Sequence, residues 1–478
     1  MSASLLPREL LLHILRHLSD PADLCRASQV CWLWWRLCQD DVLWRRVTLS
    51  RYNIPVMRAS RPVRKSWILE YKRLTDEVPS ELSQTVTAHT DEVLHVSFSH
   101  SGHELITCSK DGSFIVWEVE GDDSLSLKQR EDMTQHGWIY TWSARYNSSD
   151  TLVLVAGVID EVDGKIAVFQ RSGGLLTLIS HTDNSPYDVM GTWCGETSWL
   201  CGDMGSLGLD TNINLCQAQD GTMEPHTNLA LKFKQTDLYE SRNYLRCLHV
   251  SSVVRGVAAR QSPDQEQLAQ EPHPALADSL QSELCLIFLC SELTSSPHQL
   301  GFKIISRDNL SSVPVISQPD KVIDMLGHIV GISLQSGLLH VNVRRWPEGA
   351  RPHYDYPPPI AREIETRVVD LATLKLSDIQ YTGHKGYTDT SQAFYIYLDT
   401  SSQLVCSGSE DGLGYVWDKQ YGCRLATLRH QDVVNCATIN PNSQEMIVTV
   451  SDDQTIKVWI SKQRQRRNKR STFSHVCD

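Results

Sequence analysis

The stretch HQDVVNCATINPNSQEMIVTVSDDQTIKVW, residues 430–459, decides how this chain is organised. It places His430 at its head, Ser451 two residues before Asp453, and Trp459 six residues after that aspartate. Two other stretches carry the same landmarks: His89, Ser109, Asp111 and Trp117, and then His384, Ser409, Asp411 and Trp417. The His-to-Trp distances are 28, 33 and 29 residues in chain order, and Asp411 and Asp453 lie 42 residues apart. Between the landmarks the chain alternates as half-buried strands do, with Leu94, Val96 and Phe98 on one face and Phe114 and Val116 on another. The connections Ser-His-Ser-Gly at 99–102 and Lys-Asp-Gly at 110–112 have turn chemistry.

A repeat of ~40–45 residues built from short strands has the period of one propeller blade. Asp111 and Asp411 are 300 residues apart, about seven such periods. Part of that length is not blade: residues 255–282, rich in Gln, Glu, Pro and Ala, read as a disordered insertion. Seven blades follow, with eight the neighbouring count. The middle blades hold strand patterns without the full landmark set, around Tyr187-Asp188-Val189, Gly202-Asp203 and Gly327-His328 to Val343. Past Trp459 the basic segment 462–470 offers no strand, so the last blade is expected to borrow Gln84-Thr85-Val86-Thr87, closing the ring with its own start.

A recurring His, Ser and Asp invites comparison with a hydrolytic triad, but this set occurs three times in one chain, each time beside a tryptophan. The landmarks resemble those of the WD-repeat family. That resemblance implies structural hydrogen-bond networks made by His89, Ser109, Asp111 and Trp117, by His384, Ser409, Asp411 and Trp417, and by His430, Ser451, Asp453 and Trp459.

The N-terminus has a different pattern. In LPRELLLHILRHL, residues 6–18, Leu11, Ile14, Leu15 and Leu18 recur at helical spacing and Pro7 sits in a first-turn position. Ser19-Asp20-Pro21 breaks this helix, Asp20 suits the N-cap of a second running through Leu24 and Ala27, and a third starts near Val30. Trp32, Trp34, Trp35 and Trp44 fall within 13 residues. A unit of about forty residues is too small to bury them all, so part of this aromatic surface should meet a partner. The ordered string Leu6-Pro7, Glu9-Leu10, Ile14-Leu15, Leu18, Pro21, Asp23-Leu24, Val30-Cys31, Trp34 and Leu43-Trp44 resembles the F-box, the helical module that docks on the Skp adaptor of cullin-based ubiquitin ligases. The resemblance implies that Leu6, Pro7, Ile14, Leu15, Leu18, Pro21, Leu24, Val30, Cys31 and Trp34 face the adaptor, with Leu43 and Trp44 closing the module. Trp32 and Trp35 are additional to the pattern. In the following segment Trp67, Tyr71 and Leu74 form an i, i+4, i+7 stripe, suited to packing the first module on the second.

The expected organisation is thus an F-box over 1–46, a helical linker over 47–82, a WD-repeat propeller over 83–461 and a basic tail over 462–478. The fold is mainly β, a WD-repeat β-propeller with a small N-terminal α-helical module. The combination resembles the F-box/WD-repeat substrate receptors, with one member matching nearly the whole chain through segments such as His89–Gly102, Trp346–Ala350 and Leu428–Asn435. This implies a non-catalytic subunit that needs no cofactor, with a Skp adaptor and cullin scaffold on one side and protein substrates on the other. The chain has no H-E-x-x-H, G-x-S-x-G or P-loop pattern.

Receptors that read phosphorylated segments use arginine forks. Arg344, Arg345, Arg242 and Arg246 are the candidates, and an acidic face reading basic substrates is the open alternative. A second route would recruit a propeller-shaped adaptor of another cullin ligase through Trp-Asp-x-Arg, but Trp417-Asp418-Lys419 is followed by Gln420. A propeller scaffold without a ligase link is the third reading.

Composition sets outer limits. The 478 residues hold 45 Lys/Arg and 57 Asp/Glu, a net charge of -12 that argues against general nucleic-acid binding. Residues 1–75 carry thirteen basic and six acidic residues, and 462–478 carry six and one, so the acidity is concentrated in the interior. The 14 cysteines show no C-x-x-C or zinc-ligand spacing, which points to reduced thiols and no metal site. Cys285 and Cys290 should lie on opposite faces of one strand. No apolar run is long enough to span a bilayer. A cytoplasmic protein is expected, and the basic run 462–470 has the composition of a nuclear-import patch.

Overall fold

The computed structural model describes residues 6–474 apart from 122, 162, 186, 188–189, 205–209, 219–221, 235–245, 253–282, 292–295, 307–318, 352–356 and 391–392. The insertion expected at 255–282 and the candidate Arg242 lie outside the described residues.

Successive hairpins give seven four-stranded antiparallel sheets, the blades of a closed propeller. Blades 1 to 6 span residues 93–132, 140–184, 192–234, 246–324, 327–385 and 398–429. Blade 7 takes three strands from 434–461 and its fourth from Pro79–Val86, which pairs antiparallel with Ile456–Ser461. The chain therefore closes the ring with its own beginning, although the latch starts at Pro79, inside the expected linker. This pairing covers the edge that the last strand would otherwise leave open.

The strands nearest the axis supply a shared core that includes Val93, Val96, Ile329, Ile332, Tyr397 and Cys436. Other clusters fill the spaces between neighbouring blades. Cys285 joins the axial core and Cys290 the cluster with Leu284 and Phe288, as opposite faces of one strand require.

Five helices precede the ring: α1 (Arg8–Leu15), α2 (Pro21–Ser28), α3 (Trp32–Cys38), α4 (Asp41–Tyr52) and α5 (Trp67–Asp76). Asp20 and Asp40 cap α2 and α4 by accepting the Ala22 and Val42 amides at 2.8 and 3.0 Å. Asn53, left-handed at φ 51°, ends α4. Thus α4 runs through the expected 46/47 boundary. The tail is also helical: α6 (Lys462–Ser474) continues from the last strand.

Candidate adaptor-docking face and propeller ends

The helical module has an inner and an outer apolar side. Leu11, Leu15, Leu24, Leu37, Leu43, Trp44 and Val47 form its core, which continues through Trp67 and Leu74 of α5 to Tyr421 and Cys423 of blade 6. The Trp44 indole donates to the Cys38 carbonyl at 2.7 Å, and its ring lies 5.2 Å from Tyr71. Outside, Leu6, Leu10, Ile14, Val30, Trp32 and Trp35 expose between 41% and 68% of their surface.

Helical geometry produces this division. In α1, residues 11 and 15 share one side while 10 and 14 share another. In α3, Trp32, Trp35 and Arg36 occupy one arc, while Leu37 and Cys38 turn inward with Trp34 partly buried against them. The predicted adaptor-facing set is therefore split. Leu6, Pro7, Ile14, Val30 and Cys31 lie on the outer surface, and Pro21 and Leu18 are half-buried. Leu15, Leu24, Leu43 and Trp44 face inward and hold the helices together, a correction for Leu15 and Leu24. Leu10 joins the outer surface, and so do Trp32 and Trp35, whose orientation the sequence left open.

A polar junction fixes this module on the ring. Arg73 of α5 donates to Glu70 at 2.6 Å and to Asp418 of blade 6 at 2.7 Å, with all three side chains at most 3% exposed. Burial works against the charged guanidinium, but the Glu70 hydrogen bond and the Asp418 charge outweigh it and raise its pKa. Burial also holds the Asp418 carboxyl above its usual range. Trp67 stacks on Tyr421 at 6.4 Å, and Arg58 reaches the Asp378 carbonyl at 3.1 Å. Asp418, the acidic half of the Trp-Asp pair, is thereby engaged within the chain.

Because antiparallel strands alternate in direction, loops 121–123, 401–403, 418–424 and 440–445 lie at one end of the ring, the end that carries α5 and α6. A cavity of about 540 Å³ opens there, lined by residues including His95, Arg145, Ser333, Tyr397, Thr438 and Gln444. Loops 87–92, 133–139, 386–390 and 430–433 mark the opposite end, where Ile139 and Tyr387 are 56% and 57% exposed.

Two of the three landmark sets close into complete networks. In blade 1, His89 Nδ1 donates to Asp111 at 2.9 Å, His89 Nε2 meets Thr107 Oγ1 at 2.8 Å, and the Trp117 indole donates to that hydroxyl at 3.0 Å. The carboxylate fixes the tautomer, leaving Nε2 to accept from Thr107. Blade 7 repeats the chain through His430, Asp453, Thr449 and Trp459 at 3.0, 2.7 and 2.8 Å. Burial opposes ionisation of Asp111 and Asp453, but the histidine and hydroxyl hydrogen bonds win and hold both carboxyls well below the usual range. Ser109 and Ser451 accept from the Asp111 and Asp453 amides of their own turns and donate to the Asp91 and Asp432 carbonyls of the preceding loops, so neither is presented as a nucleophile.

Blade 6 departs from this pattern. His384 lies against Asn342 and Thr366 at 3.4 and 3.5 Å, its Nδ1 has no partner, and Asp411 accepts instead from Tyr415 at 2.7 Å. The Trp417 indole donates to the Thr382 carbonyl, and Ser409 bonds the Lys385 backbone, accepting from its amide and donating to its carbonyl. The spacing from His384 to Asp411, four to five residues longer than in the two complete copies, and Ser407 in place of threonine explain the failure. Thr107 and Thr449 were legible as Thr-x-Ser-x-Asp in the two complete copies.

Of the arginine candidates, Arg344 and Arg345 have described side chains, and both are engaged by carboxylates of the ring. Arg344 is buried between Glu410 at 3.1 Å, Thr388, and the carbonyls of Ala361 and Gly386, so it is a structural residue. Arg345 is half-exposed and pairs with Glu365 at 2.6 Å. Arg246 opens the first strand of blade 4.

Comparison with known proteins agrees with this architecture. An F-box-like family model matches residues 3–50, and a WD domain, G-beta repeat model matches 80–118 and 422–459. F-box/WD repeat-containing protein 5 of Homo sapiens is 33% identical over 97% of this chain and 95% of its own length. The chain belongs to the F-box/WD-repeat family. The Mus musculus relative of the same name is 33% identical over 96% of the chain, and the WD repeat-containing protein WDS homolog of Arabidopsis thaliana is 25% identical over 80%. Within the F-box/WD-repeat family the pairing of modules is that of a ubiquitin-ligase substrate receptor, generally non-catalytic.

Proposed function

We propose that this F-box/WD-repeat protein is the substrate-recognition subunit of an SCF-type ubiquitin ligase. The outer apolar surface of α1–α3 docks the Skp adaptor and through it the cullin, while the propeller holds a protein substrate. The observation that carries this reading is the uncovered surface of Leu6, Leu10, Ile14, Val30, Trp32 and Trp35 on a module whose other side is sealed against the ring. Such a patch marks an interaction site, and tryptophans dominate binding energy in interfaces.

Ubiquitin transfer needs only proximity from this chain. Holding substrate and charged conjugating enzyme on one rigid body raises the effective concentration of the acceptor lysine. The Arg73–Glu70–Asp418 junction supplies the rigidity. The ring end opposite α5 leaves room for a substrate. The other cullin route is disfavoured by Gln420 in the arginine position and by the engagement of Asp418 with Arg73.

The test is binding of purified Skp adaptor to the full chain. Wild type should bind, and Leu6→Ala with Pro7→Ala should lose binding at unchanged propeller melting. Failure of the wild type to bind would overturn the ligase reading.

A further inference from the structure

The basic run 462–470 is left unused by receptor function. In the structure it continues blade 7 as α6, capped by Ser461, whose hydroxyl accepts from the Arg464 amide at 3.0 Å and donates to Glu445 at 3.1 Å. Its basic side chains meet four separate parts of the molecule. Arg466 lies 3.4 Å from Asp76 at the end of α5, Lys462 4.0 Å from Glu81 on the latch strand, and Arg467 3.2 Å from Glu445 of blade 7. Arg464 and Asn468 reach the Gly121 carbonyl and Asp123 of blade 1. One helix thus spans the seam where blades 7 and 1 meet and touches the helix that carries the N-terminal module.

Ion pairs and polar hydrogen bonds hold its described part there. The sequence KQRQRRNKRSTFS contains no apolar residue before Phe473. Arg466 and Arg467 remain 62% and 53% exposed, so each pair is individually weak and screened by salt. A contact built this way forms and breaks without disturbing the core.

We propose that Asp76, Glu81, Asp123 and Glu445 form a docking site for a basic helix, occupied in cis by α6 as a releasable strap across the ring seam. The guanidinium groups that engage this shelf are withheld from any anionic partner. Seam closure and use of the run by such a partner are therefore mutually exclusive.

The experiment compares the full-length chain with a shelf variant (Asp76→Asn, Glu445→Gln), a strap variant (Arg466→Gln, Arg467→Gln) and a charge-matched control at the opposite ring end (Glu161→Gln, Glu348→Gln). Hydrogen–deuterium exchange of residues 79–86 should quicken about tenfold in shelf and strap variants, and in wild type at about 0.5 M salt, with the control unchanged. The swap Glu445→Arg with Arg467→Glu should restore slow exchange. Heparin serves as the anionic probe: the shelf variant should elute at higher salt than both wild type and control. Unchanged exchange in the shelf and strap variants overturns the strap, and co-elution of the shelf variant with the control overturns the exclusivity. Neither outcome depends on adaptor binding, so the receptor reading is tested separately.

Discussion

Replacing Arg73 by methionine would test how the module is held on the ring. Arg73→Met removes the cation between Glu70 and Asp418, which are 0% and 1% exposed in their side chains. Breaking a buried pair by deleting one partner costs ~3–5 kcal/mol, because the remaining charge has lost its compensation. Two stranded carboxylates put this case at the upper end, about 4–5 kcal/mol. The loss falls on the α5–blade 6 junction, while the rest of the ring keeps its own core.

Protonation should relieve the variant. A stranded Asp418 has a folded pKa above its unfolded value, so the stability of its protonated form is present below the unfolded pKa and lost as pH rises through the folded one. The deficit of Arg73→Met should shrink between pH 7 and pH 5. Adding Asp418→Asn removes one stranded charge, keeps an oxygen that can accept from Gln420 and Tyr421, and should recover about half of the loss. Urea unfolding followed by tryptophan fluorescence reads this junction, since Trp67 stacks on Tyr421. A deficit below about 1 kcal/mol, or one that does not vary with pH, would refute the assignment of this cluster as the clamp.

Trp32→Ala and Trp35→Ala should each weaken adaptor binding by about tenfold or more in titration calorimetry while leaving the melting temperature within a degree or two, because both rings are exposed. Thr449→Val should cost about 1–3 kcal/mol by scanning calorimetry, since it strands the Trp459 indole and His430 Nε2. Acid should destabilise the ring through its buried histidines. Burial pushes His95, His340 and His384 down to about 3, so they stay neutral in the fold. Depressed values of this kind give stability that is present above the unfolded pKa of ~6.5 and lost as pH falls, about 2 kcal/mol per histidine by pH 5. A melting temperature unchanged between pH 7 and 5 would contradict that burial.

Much of the architecture was legible because the signals are local and repeated. A blade is a run of hairpins with turn residues at fixed offsets, so the intact copies at 89–117 and 430–459 announced the ring and its period. Closure by a strand just before His89 followed from counting strands in the last copy, although the expected 84–87 is the end of a longer strand, Pro79–Val86. Blade 6 shows the limit of that reading. Its landmarks are all present, yet four to five extra residues move His384 out of reach of Asp411, and no spacing rule reveals which bond is lost.

For the docking module, the sequence by itself determined that short amphipathic helices with excess tryptophan exist and that some of their apolar surface needs a partner. It could not assign sides, because both sides of α1 and α3 are apolar and periodicity distinguishes only apolar from polar. The tertiary structure decided that Leu15 and Leu24 turn inward while Ile14, Trp32 and Trp35 stay outside. Long-range pairing likewise decided the fate of the charges: Arg344 is spent on Glu410, Arg73 on Asp418, and the basic tail on an acidic shelf. A charged side chain's role depends on the potential and burial at its site, and those are set by residues tens to hundreds of positions away in the chain.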